Sequence, residues 1–221
     1  LQSFEAAKEE QGVVNPILPV MGDSKRTDLE WYPLQTGETW KGRDRFLWLY
    51  KEVQIPAEWK GKKAVGVFDF GNTGGGNNSG FESMVYLNGR MYQGVDVNHK
   101  EVFFDEDLYG TTVDVVFRLW SGLEGGGIPT EQEHRIARAD LAWLDEKVDD
   151  FYYLASMVRQ TLEELEDSNP LQHELRKALN RACRQIEWTY PGSEEFYESV
   201  YRADDELNAS IDNMDKSSMI N

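Results

Sequence analysis

The chain has 221 residues, of which 40% are hydrophobic, so it can bury a core and is not disordered throughout. Its 40 acidic and 23 basic residues give a formal net charge of -17, which repels phosphate backbones and anionic membrane surfaces. Nucleic acid and membrane are therefore excluded as expected partners.

The cysteine content and the chain start bear on the cellular compartment. Cys183 is the single cysteine, so no disulfide can form within the chain, and we expect a cytoplasmic protein. The chain lacks a run of about 18 apolar residues, and residues 1–20 lack the basic flank and apolar centre of a signal peptide. Because the first residue is Leu1 rather than Met, we expect an expressed fragment or a processed product.

The first half of the chain predicts β-strands. Short apolar or alternating runs are separated by Gly, Asn and Pro, and they cover residues 46–55, 64–70, 83–87, 102–104 and 113–120. Asn88-Gly89 lies between two such runs and predicts a hairpin with a type I′ turn. Because no helical pattern separates these runs, they favour an antiparallel sandwich over a doubly wound sheet. We expect a β-sandwich domain over residues 1–129, with residues 1–30 as an extended lead-in.

The second half changes to helical spacing. Thr130 can cap a first helix, and Glu133 follows at the capping-box distance. The apolar seam of this helix advances in steps of three and four through Leu141, Leu144, Val148, Phe151, Ala155, Val158, Leu162 and Leu165. A second helix is predicted to begin at Asn169-Pro170, and a third after Pro191-Gly192-Ser193. The sequence therefore predicts an α+β fold, in which a jelly-roll-like antiparallel β-sandwich precedes a helical connector of about three α-helices over residues 130–221.

The densest polar cluster covers residues 86–101 and includes His99, with Asp96 three positions before it. This spacing allows a metal or acid–base site, but a zinc site needs three or four converging ligands. The other two histidines fall on predicted helices far along the chain: His134 and His173. We therefore favour a structural interpretation, in which Asp96 fixes a tight turn through side-chain-to-backbone hydrogen bonds.

Three other features have a functional and a structural interpretation. The glycine-rich loop at residues 70–80 could cradle a phosphate, but it lacks the Lys-Ser/Thr ending of a P-loop and is expected to be a flexible crossover. Tryptophans of the first half could stack on sugars, although large aromatic residues more often form a core: Trp31, Trp40, Trp48, Trp59 and Trp120. We expect Cys183 to be a small buried residue rather than a nucleophile.

Residues 46–104 resemble the N-terminal β domain of glycoside hydrolase family 38 α-mannosidases of the bacterial and cytosolic or vacuolar type. The matching segments are residues 50–60, 68–71, 80–87 and 88–104, and the last of these is the most specific. Residues 139–145 and 149–152 resemble the connector that these enzymes place between the β domain and the catalytic barrel.

The resemblance implies a zinc-dependent, retaining parent enzyme that hydrolyses terminal α-mannosyl residues of oligosaccharides. The zinc-binding segment of that family resembles His-x-His-x-Asp-x-x-Trp. Here Asp140 and Trp143 match its end, but Ile136 and Arg138 occupy the histidine positions. No catalytic or metal-binding residue therefore carries over. We expect a non-catalytic N-terminal fragment that ends before the catalytic machinery, binds no cofactor and is inactive alone.

The expected role is to position or support the parent's own C-terminal catalytic domain, with a homo-oligomer contact as a further partner. Candidate residues for the substrate entrance or an interface lie in one loop: Tyr92, Gln93, Asp96, Asn98 and His99. The alternative is an autonomous carbohydrate-binding module for mannose-containing glycans. A third hypothesis, a coiled-coil interaction protein, explains the helical seam but not the polar segment at residues 92–101.

Overall fold

The computed structural model describes residues 1–8, 29–71, 81–123 and 130–214, and it divides into two compact units. The first unit is Leu1–Leu144 and contains antiparallel sheets, whereas the described part of the second unit, Asp145–Asn221, contains three α-helices. The predicted α+β fold with a helical part after the strands is confirmed. None of the helices in the described ranges is long and apolar enough to cross a membrane.

The described part of the first unit contains eleven strands that form three sheets. The strands are β1 (Ser3–Lys8), β2 (Tyr32–Gln35), β3 (Thr39–Gly42), β4 (Phe46–Gln54), β5 (Lys63–Asp69), β6 (Glu82–Leu87), β7 (Arg90–Asp96), β8 (Glu101–Phe103), β9 (Thr112–Trp120), β10 (Gln132–Arg135) and β11 (Arg138–Leu144). The six-stranded sheet has the order β2-β1-β4-β9-β6-β7, the three-stranded sheet the order β11-β5-β8, and β10 pairs with β3.

The core of the first unit lies between the six-stranded and the three-stranded sheet. Leu47 and Leu49 of β4 face this core, whereas Trp48 between them is buried on the other face of the strand, in a separate cluster with Tyr86 and Val116. The ring centroid of Phe117 on β9 lies 4.6 Å from that of Phe68 on β5 and 4.9 Å from that of Phe70. These contacts join the two sheets through tilted and edge-to-face aromatic pairs.

The boundary between the units lies after Leu144, and not at residues 129/130 as the sequence predicted. Residues 132–144 form β10 and β11 instead of the first helix, and β11 pairs with β5 along its whole length. Leu141 and Leu144 fit the spacing of the helical seam, but backbone pairing with β5 makes their segment a strand. The predicted cap at Thr130 is accordingly wrong, and Asp145 is the N-cap, since its Oδ1 accepts a hydrogen bond from the Val148 N–H at 3.2 Å.

The expected lead-in at residues 1–30 also differs in part. Strand β1 pairs with both β2 and β4, and its Phe4 and Ala6 side chains are buried in the core, so residues 3–8 belong to the sheet. Residues 9–28, most of the glycine-rich loop (residues 72–80) and the glycine run at 125–127 lie outside the described residues.

The second unit contains α1 (Glu146–Glu164), α2 (Pro170–Cys183) and α3 (Glu194–Asp212). Asn169 and Ser193 cap α2 and α3 through hydrogen bonds from the backbone N–H groups of Leu171 and Phe196, so both predicted starts are confirmed. The helices share a separate core: Phe151, Val158, Leu175, Ala178, Ala182, Ile186, Val200, Ala203, Leu207 and Met214. Cys183 is half-buried, and burial raises the pKa of its thiol.

Candidate functional site

Residues 88–104, the segment with the most specific family resemblance, begin with a tight hairpin between β6 and β7. Asn88 and Gly89 have φ values of 49° and 73°, the left-handed conformation that a type I′ turn requires. The Asn88 side chain accepts a hydrogen bond from the Asp114 N–H at 3.0 Å, and its own N–H donates to the Asp114 carbonyl at 2.9 Å. The predicted hairpin is therefore confirmed, and β9 holds its tip in place.

The turn between β7 and β8 is organised by Asp96. Its Oδ1 accepts hydrogen bonds from the backbone N–H groups of Asn98 at 2.7 Å and of His99 at 2.8 Å. The backbones of Asp96 and His99 also exchange two hydrogen bonds, of 3.1 and 3.2 Å. This is the turn-fixing role that the sequence predicts for Asp96.

The same carboxylate orients the His99 ring. His99 Nδ1 lies 3.1 and 3.2 Å from the two Asp96 oxygens, and the His99 side chain is 74% exposed. Because a carboxylate only accepts hydrogen bonds, Nδ1 carries the proton, and Nε2 is the acceptor of the neutral ring. Burial alone would raise the pKa of Asp96, but the hydrogen bonds from Asn98 and His99 outweigh it and lower the pKa. Asp96 is therefore ionised at neutral pH.

Tyr92 and Gln93 connect the edges of two sheets. The Tyr92 hydroxyl donates to the Phe103 carbonyl at 2.6 Å, and Gln93 Nε2 donates to the Glu101 carbonyl at 2.8 Å. Strand β7 is an edge of the six-stranded sheet and β8 is an edge of the three-stranded sheet. Burial, together with the charges of nearby acidic residues, raises the pKa of Tyr92, so its hydroxyl remains a donor. The two side chains therefore act as hydrogen-bonded braces between the sheets.

Two anchoring residues of this turn were missed in the sequence. Lys100 Nζ lies 2.6 Å from Asp69 Oδ2, and Asp69 Oδ1 accepts a hydrogen bond from the Gly71 N–H at 2.9 Å. The Lys100 carbonyl also accepts from the Phe68 N–H at 2.8 Å. Because Asp69 and Lys100 are 31 positions apart, only the pairing of β5 with β8 reveals that they meet.

The five candidate residues are thus brought together along β7 and its following turn, in three different roles. Tyr92 and Gln93 brace the sheet edges, whereas Asp96 fixes the turn and the His99 ring. Asn98 contributes its N–H to that turn, and its side chain is exposed at the tip.

The described residues of this unit do not fit a zinc site. Across the described ranges, no three His, Cys, Asp or Glu side chains gather as a set that could hold a metal ion. At the position of the partial family motif, Ile136 is buried in the core, and Arg138 Nε lies 2.5 Å from Asp140 Oδ2 in an exposed ion pair.

The candidate sugar-stacking tryptophans are mostly structural. Trp40 and Trp48 are buried, Trp59 packs against the core, and Trp120 Nε1 donates to Asp44 Oδ1 at 2.9 Å. The large hydrophobic side chains that are exposed in the described part of the first unit are Met91, Tyr92, Phe103, Leu123 and Trp143. His173 lies on α2 as predicted, but His134 lies on β10 and is fully buried, so its predicted helical position is wrong.

Comparisons with known proteins give a distant structural similarity only. No family model matches the chain, and no curated protein matches it. It is similar to a β-glucuronidase from Ruminococcus gnavus in complex with D-glucaro-d-lactam, with 16% identity, 56% of this chain and 22% of that chain covered, and a TM-score of 0.39. For the same enzyme in complex with C6-substituted uronic isofagomine, the identity is 12%, the match covers 63% of this chain and 27% of that chain, and the TM-score is 0.42. The chain thus spans about a quarter of the β-glucuronidase chains, and this similarity to a glycoside hydrolase assigns neither family nor activity.

Proposed function

We propose that this chain is a non-catalytic part of a larger zinc-dependent, retaining α-mannosidase resembling glycoside hydrolase family 38. In this proposal, the chain positions or supports the catalytic domain, which supplies the zinc and the catalytic carboxylates. The whole enzyme hydrolyses terminal α-mannosyl residues of oligosaccharides in the cytoplasm. The partners of the chain are its own catalytic domain and, in an oligomer, a second copy.

The observation that carries the proposal is the braced structure of residues 88–104, which are also the most specific match to the family. A left-handed turn, two side-chain braces and the Asp96 turn hold this segment in one conformation. Such a segment offers a neighbouring domain a rigid surface. Binding to it costs less conformational entropy because the surface is already ordered.

The exposed end of the segment carries polar groups that are suited to contact with a polar ligand. The exposed His99 ring is oriented by the contact of its Nδ1 with Asp96, and the Asn98 amide is exposed beside it. Both groups can hydrogen-bond sugar hydroxyls or the polar rim of a catalytic domain. We therefore propose that this end of the chain contributes to the substrate entrance.

The test is Asp96→Ala in a full-length enzyme. Removing the carboxylate frees the N–H groups of Asn98 and His99 and the His99 ring, so the tip loses its fixed geometry. We expect kcat/KM to fall by up to about a hundredfold, while the zinc content per chain is retained. The matched control is Asp140→Ala, which removes an exposed aspartate that pairs with Arg138 on β11.

Three outcomes contradict the proposal. Unaltered kcat and KM for Asp96→Ala make the segment a purely structural turn, and an equal loss for Asp140→Ala makes the effect non-specific. A changed oligomer mass in Asp96→Ala assigns the segment to a subunit interface instead of the substrate entrance.

The second candidate function is an autonomous carbohydrate-binding module. It is favoured by the exposed Trp143 ring on the edge strand β11, where Lys62 Nζ lies 3.8 Å from the ring centroid. Titration of the isolated chain with a mannose disaccharide distinguishes the two functions. Heat of binding that is lost in Trp143→Ala supports the binding module, whereas the positioning module gives no heat.

A further inference from the structure

The buried polar side chains in the described part of the first unit gather at one place. They are Ser121, Gln132 and His134, at the end of β9 and on β10. Buried polar groups in proteins are nearly always hydrogen-bonded, so a polar atom of this cluster that has no protein partner needs another one.

The contacts of His134 determine its tautomer. His134 Nε2 lies 2.7 Å from the Ser121 carbonyl oxygen, which can only accept a hydrogen bond, so Nε2 carries a proton. The ring is fully buried. In the Nε2–H tautomer, Nδ1 is a buried acceptor.

Trp40 supplies the complementary group. Trp40 and His134 are opposite each other in the β3–β10 pair, and their rings are stacked with centroids 5.0 Å apart and planes at 28°. Trp40 Nε1 and His134 Nδ1 are both buried, and within the described ranges neither has a hydrogen-bond partner. Stacked rings cannot bond to each other through groups in their ring planes. A buried donor and a buried acceptor thus belong to two stacked rings and do not satisfy each other.

We propose that Trp40 and His134 hold an internal water molecule, which accepts from the indole N–H and donates to His134 Nδ1. Internal waters usually make about three hydrogen bonds. Gln132 lies two residues before His134 on the same face of β10, and its bond to the Thr130 carbonyl is long, at 3.4 Å. Its amide supplies the third partner.

The position of the site gives the water a structural role. Strands β3 and β10 have four residues each and form a sheet of two strands, which is marginally stable alone. The His134–Ser121 hydrogen bond ties β10 to the end of β9, and the water links β3 to the same group. The internal water therefore completes the attachment of this ribbon to the rest of the unit.

Nuclear magnetic resonance of the 15N-labelled chain tests the proposal. We expect the Nε2–H tautomer for His134, and dipolar cross-peaks between the Trp40 indole proton and water that have opposite signs in laboratory-frame and rotating-frame experiments. His134→Gln retains a donor for the Ser121 carbonyl but lacks the Nδ1 acceptor, so the cross-peak should be lost.

Several results would overturn the proposal. Two results on the wild-type chain would each be enough to reject the water site. One is an Nδ1–H tautomer of His134. The other is a Trp40 indole proton that contacts a protein acceptor but no long-lived water. A cross-peak of full intensity between the Trp40 indole proton and water in His134→Gln would show that His134 does not bind the water. If that variant does not fold, the wild-type spectra alone decide between the outcomes.

Discussion

Phe117→Ala tests whether one aromatic cluster joins the two sheets of the first unit. The Phe117 ring is fully buried and contacts Phe68 and Phe70 from the opposite sheet. Truncating a buried phenylalanine costs about 3–5 kcal/mol, and each lost aromatic pair adds about 0.5–1.5 kcal/mol. At an m-value of about 2 kcal/mol per molar urea, a loss of 4 kcal/mol moves the unfolding midpoint by about 2 M.

Tryptophan fluorescence is the suitable assay, because it reports almost entirely on the first unit. Of the 7 tryptophans, Trp188 alone belongs to the helical unit. The matched control is Phe103→Ala on β8, whose side chain is 40% exposed and should cost about 1 kcal/mol or less. A midpoint that moves equally little for Phe117→Ala and Phe103→Ala refutes the assignment of Phe117 to the contact between the sheets.

Three further substitutions test local interactions. In α3, the hydrogen bond to Asp145 raises the pKa of Tyr201 to about 12, so its stabilisation relative to Tyr201→Phe should persist below pH 10 and vanish between pH 10 and 12 in urea titrations. Burial raises the pKa of Asp204, so its ionisation destabilises the folded unit at neutral pH. The Asp204→Asn variant should therefore unfold at a higher urea concentration than the wild type at pH 7. This difference in midpoint should shrink as the pH falls through the raised pKa. Asn88→Ala loses the hydrogen bond from Asp114 at a residue with positive φ, and calorimetry should show a loss of about 1–3 kcal/mol.

Features that depend on a few neighbouring residues could be predicted from the sequence. Asn88-Gly89 specifies its turn because adjacent residues with positive φ are required there, and the caps at Asn169 and Ser193 contact N–H groups two or three positions away. The Asp96 turn is equally local. The type and the starting points of these elements were therefore predictable.

Features that depend on pairing between distant strands could not be predicted. Leu141 and Leu144 fit a helical seam, and only the neighbouring edge of β5 makes their segment a strand. His134 was assigned to a helix for the same reason, although it stacks on Trp40 across a strand pair. The roles of Tyr92 and Gln93 as braces also depend on the position of β8, which the residues around them do not encode.

The braces on β8 have a consequence for solubility. Backbone groups of residues 100 and 104 bond to β5, so the carbonyls of Glu101 and Phe103 point to the open edge of the strand. An open edge can recruit a strand of another molecule and so begin aggregation. Tyr92 and Gln93 occupy these two carbonyls. The double substitution that removes both donors should therefore expose a template for intermolecular pairing, and the side chains that brace the sandwich also protect the chain from self-association.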